Sequence, residues 1–230
     1  MKVGYKDLGT MPYKECWQLQ QSLFESRLEM RRDGKQGEDC GTILTVEHPP
    51  VYTLGKSGKQ SNMLIPQSYL ESLGAEFFHI DRGGDITFHG PGQIVCYPIL
   101  DIEQLGIGLR RYIEILEEAI ILTVAHYGIT AERLEGATGV WICDRDGDGE
   151  PRNWRKICAI GVKASRFVTM HGLALNASTD LRWFTMINPC GFVDKGVTSI
   201  TKELGREVSF DDASKVLCEK LAANLKVEKN

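Results

Sequence analysis

Arg82-Gly83-Gly84-Asp85-Ile86-Thr87-Phe88-His89-Gly90-Pro91-Gly92-Gln93 places four glycines and a proline around a short extended piece. Strand-like runs flank it, so segments 76–80, 86–88 and 94–100 follow one another with only glycine-rich turns between them. Repeated parallel βαβ units need a crossover helix between neighbouring strands. Clustered strands with helices outside them predict instead an α+β domain with a mixed or antiparallel sheet.

The helices lie on either side of this block. Pro12 suits a first helical turn, and Trp17, Leu19, Leu23, Phe24, Leu28 and Met30 recur at near-helical spacing, predicting a helix over 12–32. Residues 109–126 carry Ile113, Leu116, Ile120 and Val124 on one face. A final amphipathic helix is expected over 211–225, and short ones over 66–73 and 180–186. Thr42–Val46, Val51–Leu54, 139–143, 156–163 and 166–175 read as further strands. The chain shows no internal repeat or low-complexity tract, and residues 1–230 read as one domain with its core in 40–200.

With 42% hydrophobic and 25% charged residues, the composition is that of an ordinary globular protein. A formal charge of −4 argues against a nucleic-acid binder. No run approaches the ~18 apolar residues of a membrane span, and the N-terminus lacks the apolar core of a secretion signal. The seven cysteines (16, 40, 96, 143, 158, 190 and 218) form no close pair, which fits reduced thiols in a cytoplasmic protein rather than a disulfide framework or a zinc site.

Several motifs have plain readings. Asp144-Arg145-Asp146-Gly147-Asp148-Gly149 opens like a calcium loop, but the twelfth position holds Arg155 where a bidentate glutamate is needed, so an exposed turn between strands is expected. Residues 53–59 faintly resemble a phosphate loop but lack its first glycine. Taken alone, His89 reads more readily as a satisfied core histidine than as a site residue, while Lys156 reads equally as an exposed lysine at a strand start and the glycine block equally as a tight hairpin. Cys190, in Asn188-Pro189-Cys190-Gly191, sits on backbone constrained on one side and sterically open on the other, which suits a reactive thiol.

Taken together, Arg82-Gly83-Gly84, Thr87-Phe88-His89, Gln93 and Tyr97, then Lys156 with Ala159-Ile160-Gly161, then His171-Gly172-Leu173-Ala174-Leu175-Asn176, then Pro189-Cys190-Gly191 resemble, in order, the lipoyl(octanoyl) transferases. The resemblance spans about residues 40–200 and implies the catalytic fold of the biotin/lipoyl protein ligases. It implies Cys190 as nucleophile and Lys156 as its partner. It further implies a substrate site from Arg82, Gly83, Gly84, Asp85, Ile86, Thr87, Phe88 and His89, with Ala159, Ile160, Gly161, Gly172, Leu173 and Ala174. The implied donor is octanoyl-acyl carrier protein. The implied acceptors are lipoyl domains of 2-oxoacid dehydrogenase E2 subunits and the glycine cleavage H protein. A cytoplasmic monomer without cofactor or metal, bound to neither nucleic acid nor membrane, is expected.

Both protein partners of that family are acidic, so a basic patch from Arg152, Arg155, Lys163 and Arg166 is expected near the site. Three other readings stay open. An ATP-dependent lipoate or biotin ligase would share the fold, a carrier-binding protein would form no adduct, and a Cys–His hydrolase would use Cys190 with His89 or His171.

Overall fold

Gln93–Leu100 contains no exposed residue, so this strand has to be covered on both faces. That requirement organises the molecule, a computed structural model that describes residues 1–188 and 195–229. Cys190, with Pro189 and Gly191, lies outside the described residues.

The strands are β1 (Lys2–Thr10), β2 (Asp39–Glu47), β3 (Val51–Leu54), β4 (Glu76–His79), β5 (Ile86–His89), β6 (Gln93–Leu100), β7 (Glu132–Leu134), β8 (Ala137–Arg145), β9 (Pro151–Ser165), β10 (Val168–Asn176), β11 (Gly196–Val197) and β12 (Glu228–Lys229). The helices are α1 (Tyr13–Arg32), α2 (Gln67–Ser72), α3 (Leu109–His126), α4 (Ile200–Leu204) and α5 (Phe210–Leu225), with a 3₁₀ turn over Leu181–Met186. Among the described residues, the main sheet runs β12-β1-β2-β6-β10-β9-β8-β7, with β11 beside β9. Pairs from β2 to β7 are antiparallel, whereas β1–β2, β1–β12 and β9–β11 are parallel, so the sheet is mixed. A second sheet of order β4-β3-β5 carries the glycine block.

Alternation along the central strands sorts side chains to the two faces. Ile94 and Cys96 of β6, with Leu173 and Leu175 of β10, pack under α3 and α5. Val95, Tyr97 and Ile99 of β6, with Met170 and Ala174 of β10, face α1. Each large aliphatic side chain removed from water contributes about 1.5–3 kcal/mol.

The helices at 12–32, 109–126 and 211–225 match α1, α3 and α5 to within a residue, and the 180–186 segment is a 3₁₀ turn rather than an α-helix. Lys2–Thr10, whose polar sequence carries no strand pattern, is nevertheless β1, because β2 on one side and β12 on the other supply partners for its main chain. No helix among the described residues is long and apolar enough to cross a membrane.

Candidate active site

Strand β9 carries an irregularity where it matters most. Its register against β8 runs Val140↔Cys158 and then Trp141↔Lys156, one step on one strand against two on the other. A bulge of this kind inserts one residue and reverses the facing of the residues beyond it. Lys156 therefore shares a face with Ala159 and Gly161 rather than with Cys158, which is fully buried on the α3 side. On the next strand, Gly172 pairs with Gly161 and Ala174 with Ala159. These four small residues form the floor of a cavity of about 400 Å³, and Lys156 stands at one end of it.

Ile160 and Leu173 also border this cavity, but their side chains belong to the opposite apolar cluster, so they offer it main chain. Glycine at 161 is sterically required: a Cβ there would lie 2.7 Å from Gly83 O. Gly83 does not itself border the cavity. Its N–H donates to Val162 O at 2.9 Å, pinning the glycine loop across β9.

Arg82, Gly84, Asp85, Ile86, Thr87 and His89 border the cavity from above. Arg82 braces this roof, Nη2 donating to Thr53 O at 2.7 Å and Nη1 to Gly83 O at 3.0 Å. The Asp85 carboxylate accepts from its neighbour Ile86 N at 2.7 Å, from Lys59 N at 3.3 Å and from Asn62 Nδ2. Gly55, Lys56 and Ser57 donate their N–H groups to Asp85 O, Arg82 O and Gly84 O. The amides of the faint phosphate loop are thus committed to holding the glycine loop. Phe88 faces away: its ring is 0% exposed and stacks on Trp183 at 5.1 Å, because strand alternation turns it opposite to Thr87 and His89.

Buried polar groups line the part of the site nearest α1. His89 Nδ1 donates to Gln93 Oε1 at 2.8 Å, and Gln93 Nε2 donates to Asn176 Oδ1 at 2.9 Å and Phe88 O at 3.1 Å. Asn176 Nδ2 then donates to Thr198 O at 3.0 Å, tying the end of β10 to the residue after β11. His48 Nδ1 donates to Met11 O at 2.7 Å, which leaves Nε2 to accept from Tyr97 OH at 2.9 Å. Burial lowers His89 to about 3, with a further push from His48, and burial lowers His48 to about 4, so both rings are neutral at pH 7. His171 also borders the cavity, on left-handed backbone (φ 60°), its Nε2 donating to Asp81 Oδ1 at 3.2 Å. Tyr13, stacked on His89 at 6.1 Å, and the Gly136–Thr138 edge also border the site and escaped the sequence reading. Glycines at 136 and 139 were the one local hint of that edge.

The six described cysteines are poor nucleophiles. Burial pushes the Cys16 thiol up to about 12, and burial aided by Glu132 pushes Cys143 up to about 11. Desolvation also raises Cys40, Cys96 and Cys158, and Cys218 is buried.

The expected basic patch is overturned. Arg152 pairs with Asp146 at 2.6 Å, Arg155 with Glu203 at 2.6 Å and Asp144 at 2.7 Å, and Lys163 with Asp81 at 2.6 Å. Local carboxylates therefore cancel three of the four charges. The acidic run 144–150 forms the turn between β8 and β9, its Asp146 Oδ1 accepting from Asp148 N and Glu150 N.

The family model for the lipoyl protein ligase A/B catalytic domain matches residues 12–222. The chain is 51% identical to an octanoyltransferase of Bacteroides fragilis over 225 residues, 98% of this chain and 99% of that one. In fold it is similar to a bipartite lipoate protein ligase of Thermoplasma acidophilum (TM-score 0.68, 15% identity, 100% of this chain and 85% of that one). It is also similar to the biotin protein ligase of Aquifex aeolicus (TM-score 0.54, 12% identity, 97% and 70%). On this sequence likeness, the chain belongs to the lipoyl protein ligase A/B catalytic-domain family, on its octanoyltransferase branch, and is an acyltransferase.

Proposed function

We propose that this enzyme moves an octanoyl group from octanoyl-acyl carrier protein to one lysine of a lipoyl domain, through a thioester on Cys190, as the first step of endogenous protein lipoylation. One observation carries the reading. A β-bulge sets Lys156 on a cavity floor of small residues, beside the strand Gly196–Val197 that comes after Cys190 in the chain.

The Cys190 thiolate attacks the carbonyl carbon of the carrier thioester. The bond to the carrier sulfur breaks, and that sulfur leaves and takes up a proton. Lys156, as an ammonium, favours the thiolate and supplies that proton. The acceptor amine then attacks the enzyme thioester, the Cys190 sulfur leaves, and deprotonated Lys156 receives the proton the amine gives up. Thioester exchange is nearly neutral in free energy and amide formation is downhill, so no nucleotide is consumed. The acyl chain lies along the Gly161, Ala159, Gly172 and Ala174 floor, where its six methylenes contribute about 5 kcal/mol on burial. The loop 82–89 covers it from above. Acceptors are the lipoyl domains of 2-oxoacid dehydrogenase E2 subunits and the glycine cleavage H protein.

Two features favour transfer over ATP-dependent ligation. The 55–57 amides are bonded to the glycine loop, and the six described cysteines are buried or raised, so none of them competes with the proposed Cys190 thiolate. The deciding assay combines enzyme, octanoyl-carrier and a lipoyl domain without nucleotide. Octanoyl-lysine formation is expected at full rate, and an absolute requirement for ATP would refute the proposal.

A further inference from the structure

Trp141 is the cross-strand partner of Lys156, and Lys156 Nζ lies 4.5 Å from the centroid of its ring. The indole cannot readily turn away. It is 1% exposed, and its Nε1–H donates to Ala137 O at 3.0 Å. The segment that holds it is anchored in turn: Gly139 N donates to Glu117 Oε1 at 3.1 Å, and Glu117 Oε2 accepts from Arg133 Nε at 3.1 Å. Gly139 has to be glycine, since its φ is 119° and a Cβ would lie 2.6 Å from Cys158 O. The ring under the lysine is therefore a rigid platform fastened to α3 through a buried carboxylate.

A lysine carries its charge on a flexible four-carbon stem. An aromatic face is the negative side of the ring quadrupole, and it attracts a cation within ~6 Å, more strongly where water is excluded. Plain packing between β8 and β9 needs only the volume of the indole, whereas holding an ammonium needs its electrons.

We infer that Trp141 is a positioning residue for Lys156, whose ammonium is held over one end of the cavity floor by the electron-rich face of the indole. This rests on the assignment of Lys156 to the transfer chemistry.

The test separates electrons from volume. Tryptophan at position 141 is replaced site-specifically by mono-, tri- and tetrafluorotryptophan, which keep the shape and drain the face. Single-turnover acylation is measured with octanoyl-pantetheine as donor, alongside the melting temperature. A stepwise loss reaching about three- to tenfold is expected at constant melting temperature, with Trp141→Phe falling between tryptophan and Trp141→Leu. In a Lys156→Met background the residual rate should not respond to fluorination. A rate that stays flat across the series, or that falls only in step with the melting temperature, overturns the inference. If Lys156→Met itself acylates at the wild-type rate, the assignment of Lys156 fails, a result distinct from a flat fluorine series with an essential lysine.

Discussion

The two faces of the central sheet are built from alternate residues of the same strands, yet they do different work. Under α3 and α5, Ile94, Cys96, Leu173 and Leu175 fill a dry core. On the other face, Gly161, Gly172, Ala159 and Ala174 are too small to fill the space; His89, Gln93 and Tyr97 bring buried polar groups to its border, and His48 stands behind Tyr97. One face gains stability from volume, and the other leaves a cavity whose polar walls are held by hydrogen bonds. The bulge at Ile157–Cys158 of β9 decides which of them Lys156 joins.

If that division is right, the largest effect on transfer belongs to the cavity face. Lys156→Ala should lower octanoyl transfer by about 10²–10⁴-fold with little change in melting temperature. A loss of fold in step with activity would erase the distinction. On the dry face, Leu175→Ala should cost about 2–5 kcal/mol of stability, read from denaturant titration, while activity per folded molecule stays unchanged.

Acid should act through the cavity face. His48 and His89 are held well below their ordinary values, so the unfolded chain takes up their protons first. Their contribution is fully present above pH ~6.5 and is lost as pH falls toward 4 and then 3, by up to about 1.4 kcal/mol per pH unit per histidine. Chemical denaturation between pH 7 and 4 checks this, and a His48→Gln protein should show a shallower decline. The smallest effect is expected outside both faces. Arg152→Gln uncovers the Asp146 carboxylate on an exposed turn, and salt largely screens a single exposed charge, so the KM for the acyl carrier should change by less than about twofold at physiological ionic strength.

Much of the dry face was legible in the sequence, because helical spacing in α1, α3 and α5 and apolar runs in β6 and β10 are local signals. β1 was not, since its polar residues become a strand only through neighbours at 39–47 and 228–229. The site's residue types were legible through motif order, but its geometry was not. Ile157 and Cys158 are both apolar, so nothing local marks the bulge that re-aims Lys156. The cancelled basic patch was hidden for the same reason: Lys163 meets Asp81 and Arg155 meets Glu203 only after folding. Phe88 shows the opposite case, since period-two alternation alone separates it from Thr87 and His89.

Intact-mass analysis after incubation with octanoyl-carrier, combined with peptide mapping, reads out the proposed octanoyl thioester on Cys190. One octanoyl group is expected, located on Cys190, absent from Cys190→Ala, and discharged when a lipoyl domain is added. An adduct on Cys143 or Cys158, or full transfer by the Cys190→Ala protein, would contradict it.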